Sequence, residues 1–193
     1  KVVSIYTQNQ IFTHSITAYD ELSQQYSFFT YGVPSQKKSL FSYPLTYMGF
    51  GGYLNPFTNE AQVNAMIPMY NFPSIACHEM AHQMGYASES ECNFISFLAS
   101  TSNEDLYFNY SGYSFALRYC LSNWEIRNPN VLKKLLKTIH PGVLKNYHES
   151  QIFWESHQTF IETGFKIFYD NFLKLNQQKD GLDSYSKFVD LMV

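Results

Sequence analysis

Charge is the scarcest property of this 193-residue chain: only 15% of its residues are Asp, Glu, Lys or Arg, against roughly 25% in an average soluble domain. The 13 basic residues are outnumbered by 16 acidic ones, so there is no basic face and an electrostatic reader of nucleic acid is excluded. Cysteine is nearly absent. Cys77, Cys92 and Cys120 form an odd set with no close pair, too sparse for a disulfide framework. They read as small buried side chains, with a Cys77–Cys92 contact left open. No run approaches the ~18 consecutive apolar residues that span a bilayer. Aromatics are in excess instead, with 16 Tyr, 17 Phe and 2 Trp, too many for a disordered chain. At this length roughly 70% of the unfolded surface can be buried, which fits one domain over 1–193. The opening Lys1-Val2-Val3 lacks an initiator Met and suggests a piece of a longer protein, with any signal or anchor upstream.

Apolar residues from Ile11 to Phe29 recur every three to four positions, the spacing of an amphipathic helix. This makes 1–38 a helical lead-in, broken at Tyr31-Gly32-Val33-Pro34. Between 39 and 67 the pattern shortens. Leu40–Tyr43, Tyr47–Leu54 and Glu60–Met66 read as two or three short antiparallel strands, with a hairpin loop at 55–59. Gly49, Gly51 and Gly52 suggest a bulge or a close backbone approach there. From 68 onward the chain reads as helical. Helices are expected at 74–84, ending at Gly85, and at 89–100, capped by Ser88. Others fit 105–122, 130–138, 149–170 and 183–192, with Phe153, Trp154, Phe160, Phe165, Phe168 and Tyr169 as a core stripe. The expected class is α+β, helix-dominated, with a small antiparallel sheet ahead of the central helices.

His78-Glu79-Met80-Ala81-His82 is an HExxH on the first of these central helices. Residues i and i+4 lie one turn apart on one helix face, so both imidazoles can reach one metal ion. Zinc is the expected cofactor, since it lowers the pKa of a water from about 15.7 to about 7. Glu79 beside the first ligand is then the catalytic base, accepting that proton and returning it to a leaving amine. By contrast, His148-Glu149 is followed at the +4 position by Ile152, a chance pair without the motif.

A catalytic zinc takes three protein ligands. After HExxHxxG the position of a metzincin histidine holds Ser88, so that pattern stops. Glu89-Ser90-Glu91-Cys92-Asn93 instead resembles the Glu-x-x-small-Asp/Asn segment of glutamate zincins, the thermolysin-like and related families. The resemblance implies Glu89 as third ligand and Asn93 as the group orienting a ligand histidine. Glu91 is the second choice for the ligand, because a short link would bring an antiparallel helix to the metal nearer its level. Its alternative role is a capping box with Ser88.

The wider wording, Gly51-Gly52-Tyr53-Leu54-Asn55-Pro56-Phe57-Thr58-Asn59-Glu60, then Cys77–Gly85, then Glu89–Phe94, resembles an uncharacterised bacterial family of membrane-anchored zincins. Tyr169–Lys174 and Asp183–Tyr185 are similar to that family's C-terminal end. Cys92 stands where its members usually have Ala. The resemblance implies a zinc metallopeptidase domain acting on a peptide or protein substrate. It also implies an anchor in segments outside this chain and an extracytoplasmic location. If the architecture follows other zincins, the strand near Glu60–Met66 is an edge strand that a peptide could extend. Arg118, Tyr113, His140, His148 and His157 are available to stabilise an oxyanion, and none is singled out.

Overall fold

The computed structural model describes residues 4–159 and 187–192. Helix α1 (Gln8–Gln25) starts with a capping box: Thr7 accepts from the Gln10 amide, and the Gln10 side chain reaches back to the Thr7 amide. A single 3-10 turn (Ser27–Phe29) leads to strand β1 (Gln36–Lys38). Helix α2 (Ser42–Met48), strand β2 (Gly52–Asn55) and strand β3 (Glu60–Val63) follow. The central pair is α3 (Phe72–Gln83) and α4 (Glu89–Ser102), and then come α5 (Leu106–Arg127), α6 (Pro129–Leu136), α7 (Pro141–His157) and α8 (Lys187–Leu191).

The molecule is α+β and mostly helical, with one three-stranded sheet among the described residues. Two readings within the sheet region change. The end of the strand expected at Leu40–Tyr43 and the start of the one expected at Tyr47–Leu54 fall instead in α2, because Gly49 at φ 82° closes a helical turn and returns the Phe50 amide to the Leu45 carbonyl. The sheet is also mixed. β1 runs parallel to β3 and β2 antiparallel, in the order β1-β3-β2. β3 is therefore the central strand, and β1 and β2 are the edge strands among the described residues.

Ile11, Tyr19 and Leu22 of α1 pack with Val63, Phe72, Ala76, Met80, Ile95 and Phe108 in the core. Tyr19 reaches through it to donate to the Cys77 carbonyl at 2.7 Å. Helix α3 begins earlier than expected because Pro73 fits its first turn. Helix α7 begins at Pro141, capped by the His140 ring, which accepts from the Gly142 amide at 3.1 Å. Phe153 and Trp154 border the core as expected. Phe160, Phe165, Phe168, Tyr169 and the expected helical stretches within 160–186 lie outside the described residues. The three cysteines are free.

One expectation is corrected: the description membrane-anchored. Among the described residues no helix is long and apolar enough to cross a membrane. The 22-residue α5 has the length, but it carries Asn109, Arg118, Asn123, Glu125 and Arg127, polar groups that hydrocarbon would leave unsatisfied.

Candidate metal centre

Helix α3 ends in a turn that depends on glycine. Gly85 has φ 101°, a left-handed conformation that side-chain-bearing residues rarely adopt. The turn returns the Gly85 amide to the His82 carbonyl and the Tyr86 amide to the Ala81 carbonyl. The chain therefore doubles back at once and starts α4 at Glu89, directly opposite the two histidines.

Three donors converge there. His78 Nε2 and His82 Nε2 are 3.1 Å apart. Glu89 Oε2 lies 3.1 Å from His78 Nε2, and Glu89 Oε1 lies 3.7 Å from His82 Nε2. All three side chains are largely buried, with 13%, 15% and 7% exposed for His78, His82 and Glu89. These residues can hold a metal ion, and the donor chemistry fits one. Nitrogen and oxygen ligands ~2.0–2.2 Å from a tetrahedral ion stand roughly 3.3–3.5 Å from one another.

The electrostatics favour positive charge at that point. Burial works against a charged Glu89, yet both histidines outweigh it and hold the carboxyl well below the usual range. Burial likewise pulls on the His82 ring, and hydrogen bonds to Cys92 and Glu89 with the Glu79 charge push its pKa up to about 12. A cation between the donors would meet the same carboxylates that raise His82. Glu89 also begins α4, where the helix dipole favours an anion.

Glu79 stands to one side of the donors. It is 5% exposed, and its Oε2 is buried with no hydrogen-bond partner among the described residues. Burial raises its pKa, and the Glu89 charge adds to this against the opposing histidines. Its space comes from Gly52: a Cβ there would meet Glu79 Oε1 at 2.6 Å and the Gln62 carbonyl at 2.8 Å. The close backbone approach expected from the glycines is thus realised at Gly52, on strand β2.

The remaining candidates fall elsewhere. Glu91 is exposed. Its box with Ser88 is absent, because Ser88 makes no side-chain cap and its hydroxyl pairs with that of Ser90 at 3.0 Å. Asn93 donates to the Tyr119 hydroxyl at 3.4 Å. The group nearest His82 Nδ1 is instead the Tyr86 carbonyl, at 2.9 Å. Arg118 reaches Ser150, Tyr113 is exposed, His140 caps α7 and His157 bonds within α7. Tyr119, close enough for the Glu89 charge to act on its hydroxyl, carried no signal in the sequence.

A cavity of about 410 Å³ opens past the end of α3, lined by Phe28, Tyr31, Gln83, Met84 and Tyr86 among others. None of the three donors lines it. Its floor is fastened by the Gln83 amide, which bonds Ser35, Tyr31 and Asn59 and so ties the hairpin turn to α3.

The profile of a family described as "Protein of unknown function (DUF3810)" matches residues 3–193. No curated protein and no solved structure matches the chain.

Proposed function

The chain belongs to the DUF3810 family, and from its metal centre we propose that it is a zinc-dependent peptidase of the glutamate-zincin type, its one domain built around α3 and α4. The observation that carries this reading is the convergence of His78, His82 and Glu89 beside a buried Glu79 carboxylate whose Oε2 has no partner among the described residues. A structural site has no use for such a carboxylate, whereas a hydrolytic site needs a base within reach of water.

His78, His82 and Glu89 would hold the ion. Zinc held there would supply a Lewis acid able to polarise a carbonyl and to acidify a water. Glu79 takes the proton of the attacking water on its free oxygen and hands it to the amine nitrogen as the peptide bond breaks. Gly52 keeps the carboxylate in position by offering no Cβ.

Strand β2 supports a peptide over a small ester as substrate. Asn64 donates to the Gly51 carbonyl at 2.9 Å, and Tyr53 faces Gln62 in the ladder. In an antiparallel pair this phase turns the amide and carbonyl of Gly52 and Leu54 outward. An extended substrate can bond that edge beside Glu79, the role first expected of the strand now central in the sheet.

The test is metal content of the purified protein and of His82→Ala, each assayed against a broad peptide library beside Glu79→Gln. One zinc per chain, lost in His82→Ala, with cleavage reduced roughly 10²–10⁴-fold in a zinc-loaded Glu79→Gln, supports the reading. Zinc bound without peptide cleavage would move the substrate to another amide or ester. No stoichiometric metal after zinc is supplied would end it.

A further inference from the structure

The two nitrogens of His82 face different surroundings. Nε2 points to His78 and Glu89. Nδ1 points into the corner between α3 and α4, where the Tyr86 carbonyl lies at 2.9 Å and Cys92 Sγ at 3.3 Å. Cys92 Sγ also lies 3.3 Å from that same carbonyl, so the three groups close a triangle. The thiol is fully buried. It comes off α4 three residues after Glu89, which puts the carboxylate and the thiol on one helix face.

We propose that Cys92 is a positioning residue of the metal centre, holding the His82 ring together with the Tyr86 carbonyl so that Nδ1 carries the proton and Nε2 presents its lone pair to the ion. This rests on reading the three donors as a metal site. A ligand histidine needs a partner at its other nitrogen to fix tautomer and ring plane. The carbonyl fixes the tautomer, and the sulfur, a large polarisable atom against the ring edge, limits how far the ring can rotate away from the ion. Asn93, the residue implied for this role by the zincin resemblance, is engaged with Tyr119 instead. Cys92 is not a fourth ligand, because it sits at Nδ1 while the donors meet at Nε2.

The test compares Cys92→Ala and Cys92→Ser with the unaltered protein. Zinc affinity is read by competition with a chromophoric chelator, and the His82 Nδ1–H resonance by long-range ¹⁵N–¹H correlation. Cys92→Ala is expected to bind zinc roughly tenfold more weakly, in the range for loss of a partner behind a ligand histidine, and to shift the His82 resonance in both metal-free and loaded protein. Cys92→Ser keeps a donor and acceptor and restores most of both. Unchanged amide shifts away from residues 78–93 mark an intact fold. Wild-type affinity and an unmoved His82 resonance in Cys92→Ala would overturn the proposal. So would an intense thiolate-to-cobalt charge-transfer band in the cobalt-loaded wild type, which would make Cys92 a ligand. Failure of the wild type to take up metal would remove the centre itself, whereas uptake indifferent to Cys92→Ala would remove only this role.

Discussion

The helices α3 and α4 bury polar groups at both ends of their contact and treat them in opposite ways. Where α3 begins, Ser74, Ser96 and Ser111 close on one another. Ser96 donates to the Ser74 carbonyl, Ser111 donates to the Ser74 hydroxyl at 3.1 Å, and the Ser74 amide donates to Ser111 at 3.1 Å. Small side chains let the helices approach, and each of these hydroxyls finds a partner, as buried polar groups in a scaffold do. Where α3 ends, the donors of His78, His82 and Glu89 crowd one point, and Glu79 Oε2 has no partner among the described residues. The first cluster is complete in itself. The second is arranged for something added.

The comparison is broken most directly by exchanging one group from each end. Glu79→Gln in the zinc-loaded protein is expected to lose 10²–10⁴-fold in turnover while thermal stability at neutral pH holds or rises, since the unpaired charge is gone. Ser74→Ala should do the reverse. It leaves buried partners of the Ser74 hydroxyl unsatisfied and lowers unfolding free energy by about 1–3 kcal/mol, with zinc stoichiometry and turnover per folded molecule unchanged. Equal stability losses in the two variants would erase the distinction.

Two glycines sharpen it at smaller amplitude. A Cβ at Gly52 meets Glu79 and the Gln62 carbonyl, whereas a Cβ at Gly112 meets Ser100 Cβ at 2.8 Å and Thr101 Cγ2 at 3.0 Å. Both alanine variants overpack and should each lose about 1–3 kcal/mol in denaturant titrations. Only Gly52→Ala should also reduce kcat, by at least about tenfold, while still binding zinc. An unaltered kcat in Gly52→Ala would remove β2 from the site.

The smallest effect concerns thiols. Burial pushes the Cys77 thiol up to about 12, so at pH 8 about one molecule in 10⁴ carries the thiolate that reacts. Cys120 is partly exposed, and burial raises its pKa as well. Mass-resolved alkylation of the folded protein should modify Cys120 first and Cys77 only at the rate of global unfolding. Early labelling of Cys77 would show that the core beside α3 opens locally.

Much of this was readable along the chain because it depends on local spacing. His78 and His82 share a face by helical geometry alone, Gly85 marks a helix end because its backbone is unconstrained, and the hairpin around residues 55–59 carries its own turn residues. What failed to read was non-local. Leu40–Tyr43 and Tyr47–Leu54 have the look of strands, but Gly49 and the hydrogen bond of Asn64 to Thr46 draw residues 42–48 into helix α2. β1 pairs with β3 across more than twenty residues, and no periodicity announces a parallel partner. Asn93 and Cys92 are neighbours on α4, and only the placement of α3 and α5 around that helix gives the thiol His82 and the amide Tyr119.

By itself the sequence determined the helix-dominated class, the paired imidazoles and the adjacent carboxylate, since each follows from residue type and a 3.6-residue period. The tertiary structure decided which glutamate faces the histidines, which strand borders Glu79 and what lies behind His82. Those choices are made by the tight turn through Gly85 and by the order of strands in the sheet. Both bring together residues whose separation along the chain carries no record of their meeting.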